Sequence, residues 1–331
     1  MKRLVLCLTL VLSCALPSAR SFAADTKWIH ATSAHFDMYS AQNEADARAA
    51  LTHLEAVRAY FVTATHSKDP GDQPVRIVAF QSAGDFNKYK PAEYAASTAF
   101  PLAGPPATIV ALGLKPENYE KIFFEYCQLV MDESAPRLPY WLRVGMAQFY
   151  STLKPVETGM RLGAPPARAF HTHGQPDLIQ LFTVDRAGYL AARAKSATDF
   201  YADTSTNAAL GAKGAAATSA LNAVQSNTSV EFEVPDWTLI HMLMFSPDYR
   251  PKVGEFIAVL GSGQETGAGL GAVYGRSASQ VGKDLELYMK QSSFAVATVK
   301  FAYEKPAPPT AKAATKEEVD RIFADLSNKG K

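Results

Sequence analysis

Over residues 35–40, HFDMYS, Phe36 and Met38 alternate with Asp37 and Tyr39, the period of a half-buried strand. From Ala45 the period changes. Ala45, Ala49, Leu51, Leu54, Val57, Tyr60 and Phe61 recur at helical intervals and predict a helix. PVRIVAF at 74–80 predicts a second strand between the turn-forming DPGDQP and a helix start at SAGDFNKY. ATIVAL at 107–112 predicts a third, just ahead of the apolar stretch KIFFEYCQLVMDES at 121–134. This mixed order predicts an α+β fold, with helices packed on a small mixed sheet.

Between 205 and 230 the chain turns small and polar, STNAALGAKGAAATSALNAVQSNTSV, and predicts an insertion or mobile loop, because such a segment buries too little to offset its ordering entropy. DWTLIHMLMF (236–245) and VGEFIAVL (253–260) predict buried helices, and QVGKDLELYMKQ (280–291) an amphipathic one. The glycine-rich stretch at 261–275 lacks the Gly-Lys-Ser/Thr ending of a phosphate loop, so it is expected to be a flexible connection between helices. KPAPPTAKAA (305–314) reads as an extended Pro/Ala linker. Beyond it, Thr315 and Glu318 form a capping-box pattern ahead of Val319, Ile322, Phe323 and Leu326, one apolar stripe on a short C-terminal helix at 315–328.

The chain has 331 residues, 47% apolar and 20% charged, enough for a large core. Lys2 and Arg3, the apolar LVLCLTLVLSCAL and the small-residue SFA ending at Ala23 have the three parts of a secretory signal peptide, residues 1–23. The expected location is therefore periplasmic or extracellular. VLSC, ending at Cys14, loosely fits a lipoprotein signal, and anchoring through Cys14 is the alternative. Cleavage after Ala23 removes Lys2, Arg3 and Arg20 and no acid, lowering the formal charge by three, from +1 to −2. No basic field remains for nucleic acid or anionic lipid, and no later apolar run reaches membrane-spanning length. Cys7 and Cys14 lie in the leader, so Cys127 is alone and no disulfide framework is expected. Flanked by bulky apolar residues, it reads as a buried, inert thiol.

Taken alone, KIFFEYCQLV is an apolar core helix carrying one Glu and one Gln. Together with LPYWLRVGMAQFY at 138–150, however, FEYCQ at 124–128 resembles the gluzincin-type zinc metallopeptidases, more narrowly the exported peptidase-MA-like (DUF1570) proteins. In those relatives the first helix reads His-Glu-Tyr-x-His and the second opens Leu-Pro-x-Trp-Leu-x-Glu-Gly-Leu-Ala-Glu-Phe-Tyr. WIHATSAHFDMYS, PVRIVAFQSAGDFNKY, MRLGAPPARAF and DWTLIHMLMF line up more loosely, so the likeness covers about 28–295. It implies a zincin-like architecture over that span.

The resemblance also implies which residues would hold zinc. The two imidazole positions are Phe124 and Gln128, the third-ligand position is Val144, and the general-base position is Glu125. Phe and Val have no lone pair to donate, and a neutral Gln amide is a poor zinc donor. The zinc site is therefore expected to be lost, with no cofactor. Arg143, beside the lost third ligand, is the expected partner of Glu125. Elsewhere, the HTH at 171–173 points its two imidazoles to opposite sides of an extended segment, and His241, inside LIHMLMF, reads as a core histidine. The expected function is that of an exported pseudopeptidase binding a peptide or protein in the cell envelope. The alternative is a zinc-dependent hydrolase drawing on non-standard ligands such as Glu125, Glu133, His171 and His173.

Overall fold

The computed structural model describes residues 27–95, 97–166, 178–191, 233–291, 293–303 and 306–329. The expected leader at 1–23, the HTH at 171–173 and the expected insertion at 205–230 lie outside the described residues. A six-stranded mixed sheet organises the first half of the chain, in the order β4-β5-β3-β2-β1-β9. Its members are β1 (Ile29–Thr32), β2 (Phe36–Ser40), β3 (Val75–Phe80), β4 (Ala99–Leu102), β5 (Thr108–Leu112) and β9 (Thr310–Ala313). β2, β3 and β5 run parallel, while β1, β4 and β9 pair antiparallel at the two sides.

The period of two in the strands sends apolar side chains to both faces. Ile77 and Ala79 of β3 join one core cluster, with α1 (Glu44–Thr65) and α3 (Pro116–Ser134). Val78 and Phe80 join the other, with Phe86 of α2 (Ala83–Asn87) and with α10 (Lys316–Lys329). α1 is started by Asn43, whose side chain accepts from the Asp46 N–H at 2.9 Å. One buried charge on it, Glu55, is satisfied by the His35 backbone N–H and the His35 ring, each at 2.8 Å.

α3 and α4 (Tyr140–Ser151) form an antiparallel pair, and α4 carries the first core cluster onward to α6 (Glu233–Phe245). Around them lie α5 (Leu178–Thr183), a helical segment at 186–191, α7 (Val253–Gly261), α8 (Thr266–Tyr274) and α9 (Ala278–Met289). A second, antiparallel sheet joins β6 (Lys154–Val156), β7 (Gly159–Leu162) and β8 (Ala297–Lys300). The fold class is thus α+β, as the hydrophobic pattern predicts.

Two expectations are corrected. The glycine-rich stretch is not a flexible connection, because residues 266–274 form α8. The Glu265 carboxylate caps its first turn, accepting from Gly267 and Ala268 N–H at 3.0 and 3.1 Å, while Leu270 and Val273 bury its inner face. Gly275 then ends it in the left-handed conformation, φ +66°. The 305–314 stretch is likewise not a free linker. Its residues Thr310–Ala313 are β9, hydrogen-bonded along β1, with Arg48 donating to the Pro309 and Ala311 carbonyls at 2.9 Å. The helix that follows has the expected capping box, Thr315 N–H to Glu318 at 2.7 Å and Glu318 N–H to Thr315 Oγ1 at 3.2 Å. Its stripe meets the sheet through Phe323, against Trp28 and Phe80 at ring distances of 5.2 and 5.9 Å.

Candidate functional site

α3 begins with Pro116 at its first turn, where a missing N–H costs nothing, and Asn118 ties it to β5 by donating to the Leu112 carbonyl at 2.9 Å. After Ala135 the chain turns through LPY, and Pro139 precedes α4. Trp141 anchors the start of α4, its indole N–H donating to Thr266 Oγ1 of α8 at 3.1 Å.

Phe124 and Gln128 lie one turn apart on a shared side of α3. Phe124 is 4% exposed, Gln128 half-buried, and Val144, on the facing helix, is fully enclosed in the same apolar cluster as Phe124. These residues do not fit zinc, since the two best-buried ones contribute carbon surface only. Glu125 is buried beside them. Its charge, second to burial itself, pushes up the Tyr94 phenol, and it contributes in the same direction at Tyr140.

The expected Arg143–Glu125 pair is corrected by the geometry. The Arg143 guanidinium instead ion-pairs with Asp132, one turn beyond Gln128 on α3, and stacks over the Tyr140 ring at 5.4 Å. Asp132 is closer than Glu125 to the loop end of the helix pair, where α4 begins. A second guanidinium joins it there: Arg186 Nη1 lies 3.3 Å from Asp132, while its Nη2 donates to the Tyr94 hydroxyl at 3.1 Å. Deeper in, Gln148 donates to the Tyr189 hydroxyl at 3.3 Å, and Tyr189 packs edge-on against Tyr140.

The site is therefore a network of Glu125, Asp132, Arg143 and Arg186 with the phenols of Tyr94, Tyr140 and Tyr189. Desolvation raises the pKa of Tyr94 and Tyr140, so both stay protonated at neutral pH. Protonated phenols and paired charges are hydrogen-bonding groups, suited to recognition and unsuited to nucleophilic attack. Beside them a groove of about 440 Å³ runs along Leu129, Asp132 and Glu133, walled by 70–73 and 104–107.

The remaining candidates are scattered. Glu133 is exposed and accepts from the Gly71 N–H at 3.0 Å. Eight residues of helix set it about 12 Å along the axis from Glu125, too far for both to hold one ion. His171 and His173 lie outside the described residues. His241 is a buried core histidine: its Nε2–H donates to the Ala295 carbonyl at 2.9 Å, its Nδ1 meets the Tyr288 hydroxyl at 2.7 Å, and burial lowers its pKa. Cys127 is fully buried, with its thiol pushed well up by desolvation. Among the described residues no group of three His, Cys, Asp or Glu side chains is placed to hold a metal, and no helix is long and apolar enough to cross a membrane.

Asp132 was within reach of sequence reasoning, since it follows Gln128 by one turn. Tyr94, Arg186 and Tyr189 come from remote segments, and only the fold brings them in. No family profile, curated protein or solved structure matches this chain, so the likeness at 121–150 rests on its own residues.

Proposed function

We propose that this chain is an exported pseudopeptidase, a zincin-like domain of the gluzincin and peptidase-MA-like kind that binds a peptide or protein in the envelope without cleaving it. The observation that carries this reading is the replacement of donor groups on the α3–α4 pair. Phe124 and Val144 fill two ligand positions with buried hydrocarbon, and the nearby Arg143 is engaged by Asp132. A carboxylate at position 125 hydrolyses a peptide only through a metal-activated water, and the donors that would hold that metal are replaced.

What remains is a surface for recognition. β4 is an edge strand of the sheet as described, and α3 packs beneath it. An extended peptide laid along such an edge gains main-chain hydrogen bonds, and the nearby groove offers the Asp72 and Glu133 carboxylates to its basic side chains. The leader pattern at 1–23 supports export, with Cys14 anchoring as the alternative.

Metal analysis of the purified full chain, paired with a peptide-library binding screen and a peptidase assay, tests the proposal. A metal-free protein that binds extended basic peptides intact, with the same melting temperature in chelator, supports it. Stoichiometric zinc, lost on chelation together with a peptidase activity, would overturn it and return the hydrolase alternative.

A further inference from the structure

A cavity of about 640 Å³ opens between the C-terminal ends of α1 and α3, the body of α4, and helices α6 and α7. It shares no residue with the Asp132 network and owes nothing to the metallopeptidase likeness. Three methionines line it, Met131, Met146 and Met244, with Leu138 and Ile257. Methionine thioethers are polarisable and unbranched, so such a wall adapts to flexible apolar chains. The volume falls in the range of small-molecule sites.

Two features make it more than an apolar groove. The first is its charge pattern. Among the described residues no carboxylate lines the cavity, and Arg137 and His66, both exposed, lie along it. Among the described residues the Arg137 guanidinium has no hydrogen-bond or ion-pair partner. The second is Tyr150, which lines the cavity and is only 4% exposed. Its ring packs on Phe61 and Phe149, yet among the described residues its hydroxyl meets no hydrogen-bond partner, and burial pushes its pKa up. A phenol hydroxyl that lines the cavity without a protein partner is a hydrogen-bonding group open to whatever the cavity holds.

We propose that this cavity binds a medium-length amphiphile with an apolar chain and an anionic head, of the fatty-acid class. The chain lies along the methionines. The head sits at the rim, where the Arg137 guanidinium supplies the positive charge and the His66 ring a further hydrogen-bonding group.

Gly254 of α7 lines the same cavity, and a Cβ there would meet no atom within 4 Å. A larger side chain at 254 therefore enters open space, and replacing a helical glycine favours folding. The experiment uses the full chain, with 1-anilinonaphthalene-8-sulfonate as the fluorescent probe and dodecanoate as competitor, followed by calorimetry. One dodecanoate binds per chain, and dodecyltrimethylammonium binds about tenfold or more weaker. Gly254→Leu keeps its circular dichroism and an equal or higher melting temperature while losing about tenfold or more in dodecanoate affinity. Arg137→Gln weakens dodecanoate about fivefold and leaves dodecanol unchanged. The inference is overturned by the absence of saturable binding, by equal affinity for the cationic amphiphile, or by a folded Gly254→Leu that binds dodecanoate like the parent. Displacement of the probe by a peptide with an apolar C-terminus, where dodecanoate fails, overturns it equally.

Discussion

Breaking the Asp132–Arg143 contact measures how strongly this ion pair ties α3 to α4. The pair is neither exposed nor deeply buried: the side chains are 30% and 17% accessible. Exposed ion pairs couple by about 0.2–1 kcal/mol, and deleting one partner of a buried pair costs about 3–5, so a coupling of about 2 kcal/mol is expected here. Arg186, half-exposed at 51%, adds less than about 1 kcal/mol to the cost of losing Asp132. Arg143→Gln also forfeits its stacking on Tyr140, about 0.5–1 kcal/mol, which appears in that single variant but cancels in the coupling. The assay is a double-mutant cycle of Asp132→Asn and Arg143→Gln, with urea unfolding followed by tryptophan fluorescence at neutral pH. A coupling under about 0.5 kcal/mol refutes the reasoning. So does a larger coupling in the matching Glu125→Gln and Arg143→Gln cycle, which would restore the pairing expected from sequence.

Placing donors at the positions the likeness assigns, with Phe124→His, Gln128→His and Val144→Glu, should lower the melting temperature, since even a neutral carboxyl at the fully enclosed position 144 costs about 2–7 kcal/mol by transfer estimates. Stoichiometric zinc should then raise it again; a folded variant, or the folded double His variant, that takes up no zinc shows the alignment to be wrong. Burial, with Lys154 adding, lowers the His53 pKa from 6.5 to about 4. The unfolded chain therefore binds the extra proton first, so stability is full above about 6.5 and falls as pH drops toward 4. His53→Gln should flatten that arm of a urea-midpoint profile, and a ring titrating near 6.5 by NMR would contradict the burial argument. Leu326→Ala, at a position 1% exposed under the sheet, should cost about 2–4 kcal/mol in thermal unfolding. A loss below about 0.5 kcal/mol would mean that α10 contributes little to holding the sheet.

The parts of the fold legible in the sequence are those whose side chains carry a period. β2, β3, β5 and α1 follow from alternating or helical apolar spacing, and the capping box announces α10. β1, β4 and β9 are short edge or near-edge strands. TAKA at 310–313 has no apolar rhythm, and backbone hydrogen bonds to β1 hold it there. α8 was obscured by glycines, whose cost is met by the Glu265 cap and by the burial of Leu270 and Val273. At the candidate site the sequence pointed to Arg143 but not to the carboxylate it meets. α3 carries Glu125 and Asp132 along its length, and which one Arg143 meets depends on how far the helices slide along each other, a quantity that residue spacing does not encode.

The pairing of β9 with β1 ties the order of synthesis to the order of folding. Trp28 and its neighbours leave the ribosome first, yet the strand that covers β1 and the helix that seals Trp28, Tyr39 and Phe80 are made almost 300 residues later. Until then the nascent chain presents a bare sheet edge and an open aromatic face, which delays closure and invites holdase chaperones.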